Sequence, residues 1–407
     1  MSAHPRRQVV IFALLTAACV ASDAMLYVIL PVRWMEAGLS SLWEVGVLLS
    51  LNRLARLPLN PVIGFAYSRL SVKTCAVFAA LLSLLIPLGY VHASTFAAWA
   101  ALRVLWGLAW SLLKLGGLFT VMDVAGEHDR GYLIGLYTGT YRLGNLVGML
   151  GGGLMADMAG LRPTLLAGAA VAALALPMAL FLLRRIPPEK RRSAPGAEKA
   201  GEKGGLHLLT RELFWVLLTC LFVTLIIEGF FMSTLSALLE HHFGAGVTLC
   251  GFLLGCATLA GFMQSLRWGW DPALSPLAGR ISDGPLGRTR MFAAGCFAAA
   301  LLFFLTTLKL PLLPWLLLIV GIELCCTAMT TLSDALATDV ASRSQPVFVI
   351  TAYTLAIDLG AALGPLGGFA VIARWGMDAA YLAAALLLLL FALRWAFRPP
   401  VREHPAP

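Results

Sequence analysis

The chain has 407 residues, 59% of them hydrophobic and 13% charged, and carries a net charge of +9. Its mean hydropathy is +0.84. So little polar surface cannot cover a soluble domain, whereas about 20 apolar residues as a helix cross a bilayer core. The composition is that of an all-α polytopic membrane protein. In such a protein Lys and Arg set topology, so the positive balance does not point to nucleic acid.

Apolar runs follow one another near 8–31, 43–66, 73–91, 95–121, 131–155, 161–183, 212–239, 246–276, 290–308, 311–335, 346–372 and 378–398. That makes twelve predicted transmembrane helices. The first run follows Arg6 and Arg7 as a signal peptide would. It is long enough to span, however, and the chain continues through further spans, so it reads as helix 1. Between the sixth and seventh runs lies "RRIPPEKRRSAPGAEKAGEKGGLHLLTRE", rich in charge, Pro and Gly. Such a stretch reads as a hydrophilic linker. The expected organisation is a first six-helix bundle over 1–183, a linker over 184–211 and a second six-helix bundle over 212–407.

With the N-terminus inside, basic residues crowd the cytoplasmic segments: Arg6, Arg7, Arg69, Lys73, the linker, Arg280, Arg288, Arg290 and Arg394. The outer segments hold only Arg33, Arg162, Lys309 and Arg374. Both termini are therefore expected in the cytoplasm, and the protein in the inner membrane.

The two halves repeat. "YTGTYRLGNLVGMLGG" at 137–152 returns as "YTLAIDLGAALGPLGG" at 353–368, an offset of 353 − 137 = 216. The same offset takes Trp99 to Trp315, Asp123 to Asp339 and Gly160 to Gly376. Nearer the start of each half an offset of 228 − 23 = 205 carries Asp23 to Glu228 and Gly46 to Gly251. Parallel six-helix repeats around a midplane site are one way to build an alternating-access transporter.

Within that frame the chain resembles the major facilitator superfamily over essentially its whole length. The cytoplasmic loop "GFAYSRLSVK" (64–73) is similar to the family's glycine–acid–arginine loop, with Ser68 at the acid's position. Its second copy, "GRISDGPLGRTR" (279–290), keeps Gly279, Asp283 and Arg288. The resemblance implies a conformational latch involving Gly64, Arg69, Gly279, Asp283 and Arg288. "RVLWGLAWS" (103–111) is similar to the arginine–glycine motif of proton-coupled antiporters, with Trp106 in place of glutamine. "GNLVGMLGGG" (144–153) is similar to the glycine–proline signature of drug:proton antiporters; Met149 replaces the proline, which helix 11 keeps as Pro365.

Gly144, Gly148 and Gly152 lie on one helix face, as do Gly360, Gly364 and Gly368. Small residues at that spacing let helices approach closely. Because the resemblance puts helices 5 and 11 where the halves meet, the stripes are expected either as sliding surfaces or as ordinary static packing.

A charge at mid-helix costs roughly 2.5–3.5 kcal/mol to insert, so it normally faces a cavity or a partner. Arg53 and Arg56 share a face of helix 2, followed by Asn60. Arg103 and Lys114 in helix 4, and Glu323 and Asp334 in helix 10, are each spaced to form one stripe about 16 Å long. The resemblance implies that helices 1, 4, 7 and 10 line a water-filled path holding Asp23, Arg103, Lys114, Glu228, Glu323 and Asp334. A buried carboxylate takes up a proton more readily, and a nearby cation reverses this. Changing that pairing during transport couples proton and substrate. Asp23, Glu228, Glu323, Asp334 and Arg103 are thus the proton-coupling candidates. Arg53, Arg56, Asn60, Lys114, Arg142 and Asp358 are the substrate-cavity candidates, suited to an anionic or zwitterionic group. Asp358 is expected to face Arg53 or Arg56, and Arg142 to face helix 8.

The expected function is proton-coupled movement of a small organic molecule, with export expected over uptake. Its partners are that molecule, protons and the lipid bilayer, and the chain is expected to be a monomer. The alternatives are a symporter for an organic anion, and a non-transporting membrane sensor or scaffold. The sequence contains no HExxH, no GxxxxGK[ST] and no metal-like cysteine spacing, so no enzyme activity, cofactor or metal is expected.

Overall fold

Apolar runs too long for a soluble core form long helices, because lipid leaves the backbone no other partner than itself. The computed structural model describes residues 3–124, 129–185, 210–249, 252–285, 287–342 and 346–397. Most of the expected linker lies outside these residues. Among them are α1 (Ala3–Arg33), α2 (Leu42–Arg69), α3 (Val72–His92), α4 (Phe96–Val124) and α5 (Arg130–Ala159). α6 (Leu161–Leu182) and α7 (Arg211–Phe243) follow. The remainder are α8 (Cys256–Ser282), α9 (Arg288–Leu305), α10 (Leu312–Ser342), α11 (Pro346–Trp375) and α12 (Met377–Phe397). Nine of the described helices are long and apolar enough to cross a membrane. α2, α5 and α8 are not among them; each carries arginine in its middle, at Arg53 and Arg56, at Arg142 and at Arg267.

The expected eighth run, 246–276, is not helical throughout. Gly246–Leu249 (β1) pairs antiparallel with Phe252–Gly255 (β2), and the helix starts only at Cys256. Gly244 at φ 77° breaks α7 just before the hairpin, and Val247 and Thr248 suit a strand better than a helix.

The chain divides into two compact units. One comprises residues 1–197, 234–240 and 244–269; the other comprises 198–233, 241–243 and 270–407. In the first, α1 packs against α4, α5 and α6, α4 packs against α2 and α3, and α3 against α6. In the second, α11 packs on α7, and α9 packs on α10 and α12.

The repeat in the sequence is also a repeat of contacts. A Cβ on Gly144 or Gly148 would run into the Ala17 or Ala21 carbonyl of α1, and one on Gly152 into Met25. In α11, Gly360 and Gly364 meet Leu221 and Leu225 of α7 in the same way, and Gly368 meets Phe230. The stripes are therefore packing seams of α5 on α1 and of α11 on α7. Close approach explains why glycine is needed there; the spacing alone does not name the partner helix. Gly160 and Gly376 end α5 and α11 at φ 80° and 89°, a conformation glycine adopts without the Cβ penalty. Trp99 and Trp315 are each fully buried, with indole N–H donated to the Ala37 and Thr306 carbonyls at 3.0 and 3.1 Å.

Candidate functional site

In the first unit, α4 brings Arg103 into the packing of α1 and α2. Gly107, one turn on, lets α4 come so near α2 that a Cβ there would meet the Asn52 carbonyl at 2.6 Å. That approach puts Nε of Arg103 3.0 Å from the Leu48 carbonyl, to which it donates. Nη1 of the same guanidinium pairs with the Asp23 carboxylate of α1. Arg103 is fully buried, and the Asp23 side chain is 13% exposed. One turn along α1, Tyr27 accepts a hydrogen bond from Nε of Arg53 at 3.4 Å. The arginine–glycine motif thus has a local reason: the glycine admits the helix and the arginine fills the contact. Trp106, in the usual glutamine position, is buried.

A second cluster lies on α2, α4 and α5. The Arg56 guanidinium stands 5.7 Å from the centre of the Trp110 ring, and its Nε donates to the Asn52 carbonyl at 3.3 Å. Trp110 and Tyr141 meet edge to face, with centroids 5.5 Å apart, and Tyr137 braces Tyr141 at 5.2 Å. Lys114 is half-buried one turn beyond Trp110, while Asn60 is exposed. Arg142 lies over Trp268 of α8 at 5.6 Å, and Arg267 stands at the same distance from that ring. The basic stripe of helix 4 is therefore not uniform: Arg103 is locked in packing, whereas Lys114 remains half-buried.

In the second unit, Glu228 lies in a π-helical stretch of α7, Leu225–Phe231. Such wide turns concentrate at functional positions. The Tyr353 hydroxyl donates to Asp334, and Glu228 is within electrostatic reach of that tyrosine. Glu323 is buried, Asp334 is exposed and Asp358 is half-buried. Asp271 accepts from Thr327 at 2.6 Å, and Trp270 donates to the same threonine at 3.2 Å.

Of the loop residues, Arg288 bonds Asp283 at 2.6 Å and also Asp339 at the end of α10. Arg69 instead stands over the Phe65 ring at 4.4 Å. Gly64 and Gly279 both face open space.

One polar junction was not foreseen from the sequence. Asp157, near the end of α5, accepts from both the backbone N–H and the hydroxyl of Thr258 at 2.6 Å. Thr258 is in the first turn of α8, so the carboxylate caps that helix and meets its positive end. Arg33 supports the arrangement, donating to the Ala156 carbonyl at 3.1 Å and to Glu36 at 2.8 Å. Around it Gly153 meets Ala257, and Gly261 meets the Met149 carbonyl. A lone aspartate at a helix end gave no sign of its partner. Trp110, Tyr141 and Trp268 were also missed, because aromatic residues inside an apolar run carry no contrast. The four-residue spacing of Trp110 from Lys114 was the one available signal.

Among the described residues, twelve long helices and intramembrane charges held by other side chains are features of a polytopic membrane protein. The sequence model of the Major Facilitator Superfamily matches residues 12–270 and 272–407. The chain belongs to that superfamily; it is a multi-pass membrane transporter of a small molecule and not an enzyme. Among solved structures it is similar to the nucleoside transporter NupG, at TM-score 0.74 and 14% identity over 97% of this chain and 98% of that one. It is also similar to a POT family transporter in complex with a thioalcohol-conjugated peptide, at TM-score 0.73 and 12% identity over 94% of each chain. A third is a POT family transporter in complex with 5-aminolevulinic acid, at TM-score 0.73 and 13% identity over 98% and 97%. No curated protein sequence gives a significant match.

Proposed function

We propose that the protein is a proton-coupled secondary transporter that moves a small anionic or zwitterionic organic molecule by alternating access, in the direction of export. The observation that carries this reading is the Asp23–Arg103 pair, a carboxylate with slight solvent access against a fully buried guanidinium. Inside a low-dielectric bundle, a helix shift or a ligand that weakens this pair makes the carboxylate take up a proton. Restoring the pair releases it. Glu228, at the equivalent place in the repeat and on a π turn, is the second carrier, with Glu323 and Asp334 as further acids. Arg53, Arg56, Asn60, Lys114 and Arg142 in the first unit are the substrate-binding candidates, Asp358 is a separate candidate in the second, and the Arg288–Asp283–Asp339 junction acts as a latch in the cycle.

The organisation proposed is two bundles, 1–183 and 212–407, in an inner membrane with both termini cytoplasmic and the protein monomeric. The neighbouring structures, at 12–14% identity, bear on fold; the substrate class rests on this chain's own cations. Flux in vesicles of known orientation tests coupling and direction together. Antiport predicts that an inwardly directed proton gradient expels the ligand, and stimulated uptake under the same gradient would establish the symport alternative. Flux indifferent to the gradient would refute proton coupling.

A further inference from the structure

α2, α4 and α5 bring Arg56, Trp110, Lys114 and Tyr141 of the first unit into one corner. The Trp110 and Tyr141 rings stand at 76° to each other with centroids 5.5 Å apart, so they form two walls. Neither wall is loose. Tyr137 packs against Tyr141 at 5.2 Å, is almost fully buried, and is anchored by its hydroxyl to the Leu113 carbonyl at 3.1 Å. Arg56 is steadied by its bond to the Asn52 carbonyl and stands over the Trp110 ring. Lys114 follows Trp110 by four residues and so shares its helix face. All four corner residues are half-buried, so each keeps part of its side chain accessible.

We propose that this corner selects an aromatic organic anion. A planar ring stacks on one wall and meets the other edge-on, the two arrangements that aromatic quadrupoles favour. The carboxylate on that ring meets the Arg56 guanidinium and the Lys114 ammonium. Charge alone would not call for this construction, since an aliphatic acid needs the cations but gains nothing from two fixed rings at right angles. A cationic ligand is opposed by both basic groups, and a guanidinium already sits over the indole. The inference rests on the anionic-substrate reading above and sharpens it to a chemical class.

The test uses the purified full-length protein and four probes: benzoate, indole-3-acetate, cyclohexanecarboxylate and benzylamine. Binding is measured by quenching of tryptophan fluorescence and by thermal stabilisation. The aromatic acids are expected to bind about tenfold more tightly than the saturated acid, the step that 1.4 kcal/mol represents. Trp110→Leu and Tyr141→Leu should each reduce that preference, while Arg56→Gln weakens all the acids. The comparison among probes on the unmodified protein stands even if a variant fails to fold. Equal affinity for cyclohexanecarboxylate and benzoate would overturn the aromatic assignment and leave the anionic reading intact. Binding of benzylamine alone would overturn both, and absence of saturable binding by either aromatic acid would overturn the corner as a site.

Discussion

Removing either member of the Asp23–Arg103 pair tests whether the two residues work as one unit. Arg103 makes its bonds to Asp23 and to the Leu48 carbonyl from a fully buried position. Breaking a buried pair by deleting one partner costs about 3–5 kcal/mol, because the other charge is left uncompensated. The 13% exposure of the Asp23 side chain lets water relieve part of that, which sets the expectation at the lower end, about 3 kcal/mol for Asp23→Leu or Arg103→Leu. In the double variant no charge is stranded, so its cost should fall below the sum of the singles by about 2 kcal/mol. Reversible unfolding in mixed detergent micelles, followed by far-UV circular dichroism, gives the three values. Additivity within about 0.5 kcal/mol would refute the pairing.

Gly148→Val and Gly364→Val should each destabilise by about 1–3 kcal/mol or more through overpacking, since both glycines press on a neighbouring backbone. Gly151→Ala and Gly367→Ala, where a Cβ meets nothing within 4 Å, should be neutral or stabilising by up to about 1 kcal/mol in the same unfolding experiment. Asp157→Asn should cost about 1–2 kcal/mol by weakening the charge-assisted cap on α8. The effect should largely vanish in a Thr258→Pro background, where both donors are gone, as a double-mutant cycle would read.

The spans were legible because crossing lipid demands long apolar runs, and the repeat because two distant stretches preserve the same glycines and aromatics. The glycine stripes announced close helix contact, but their partners, Ala17 and Ala21 in one case and Leu221 and Leu225 in the other, required three dimensions. The hairpin at 246–255 was hidden because a short apolar run suits strand and helix alike, and Gly246, Gly251 and Gly255 were the only hints. Asp23 and Arg103 were each singled out, yet nothing in the spacing of 103 − 23 = 80 residues could pair them. The aromatic corner was silent because Trp110 and Tyr141 sit inside apolar runs where aromatic residues carry no contrast; contacts alone place Trp110 beside Arg56 and Tyr141 against Trp110.

The central claim, that an intramembrane acid couples protons to substrate, is tested most directly in proteoliposomes loaded with the ligand that best stabilises the protein. Flux driven by an imposed pH gradient is compared with gradient-free exchange for the unmodified protein, Asp23→Asn and Glu228→Gln. The account predicts that at least one variant loses the response to the gradient while still exchanging ligand. Gradient-driven flux undiminished in both variants would contradict it.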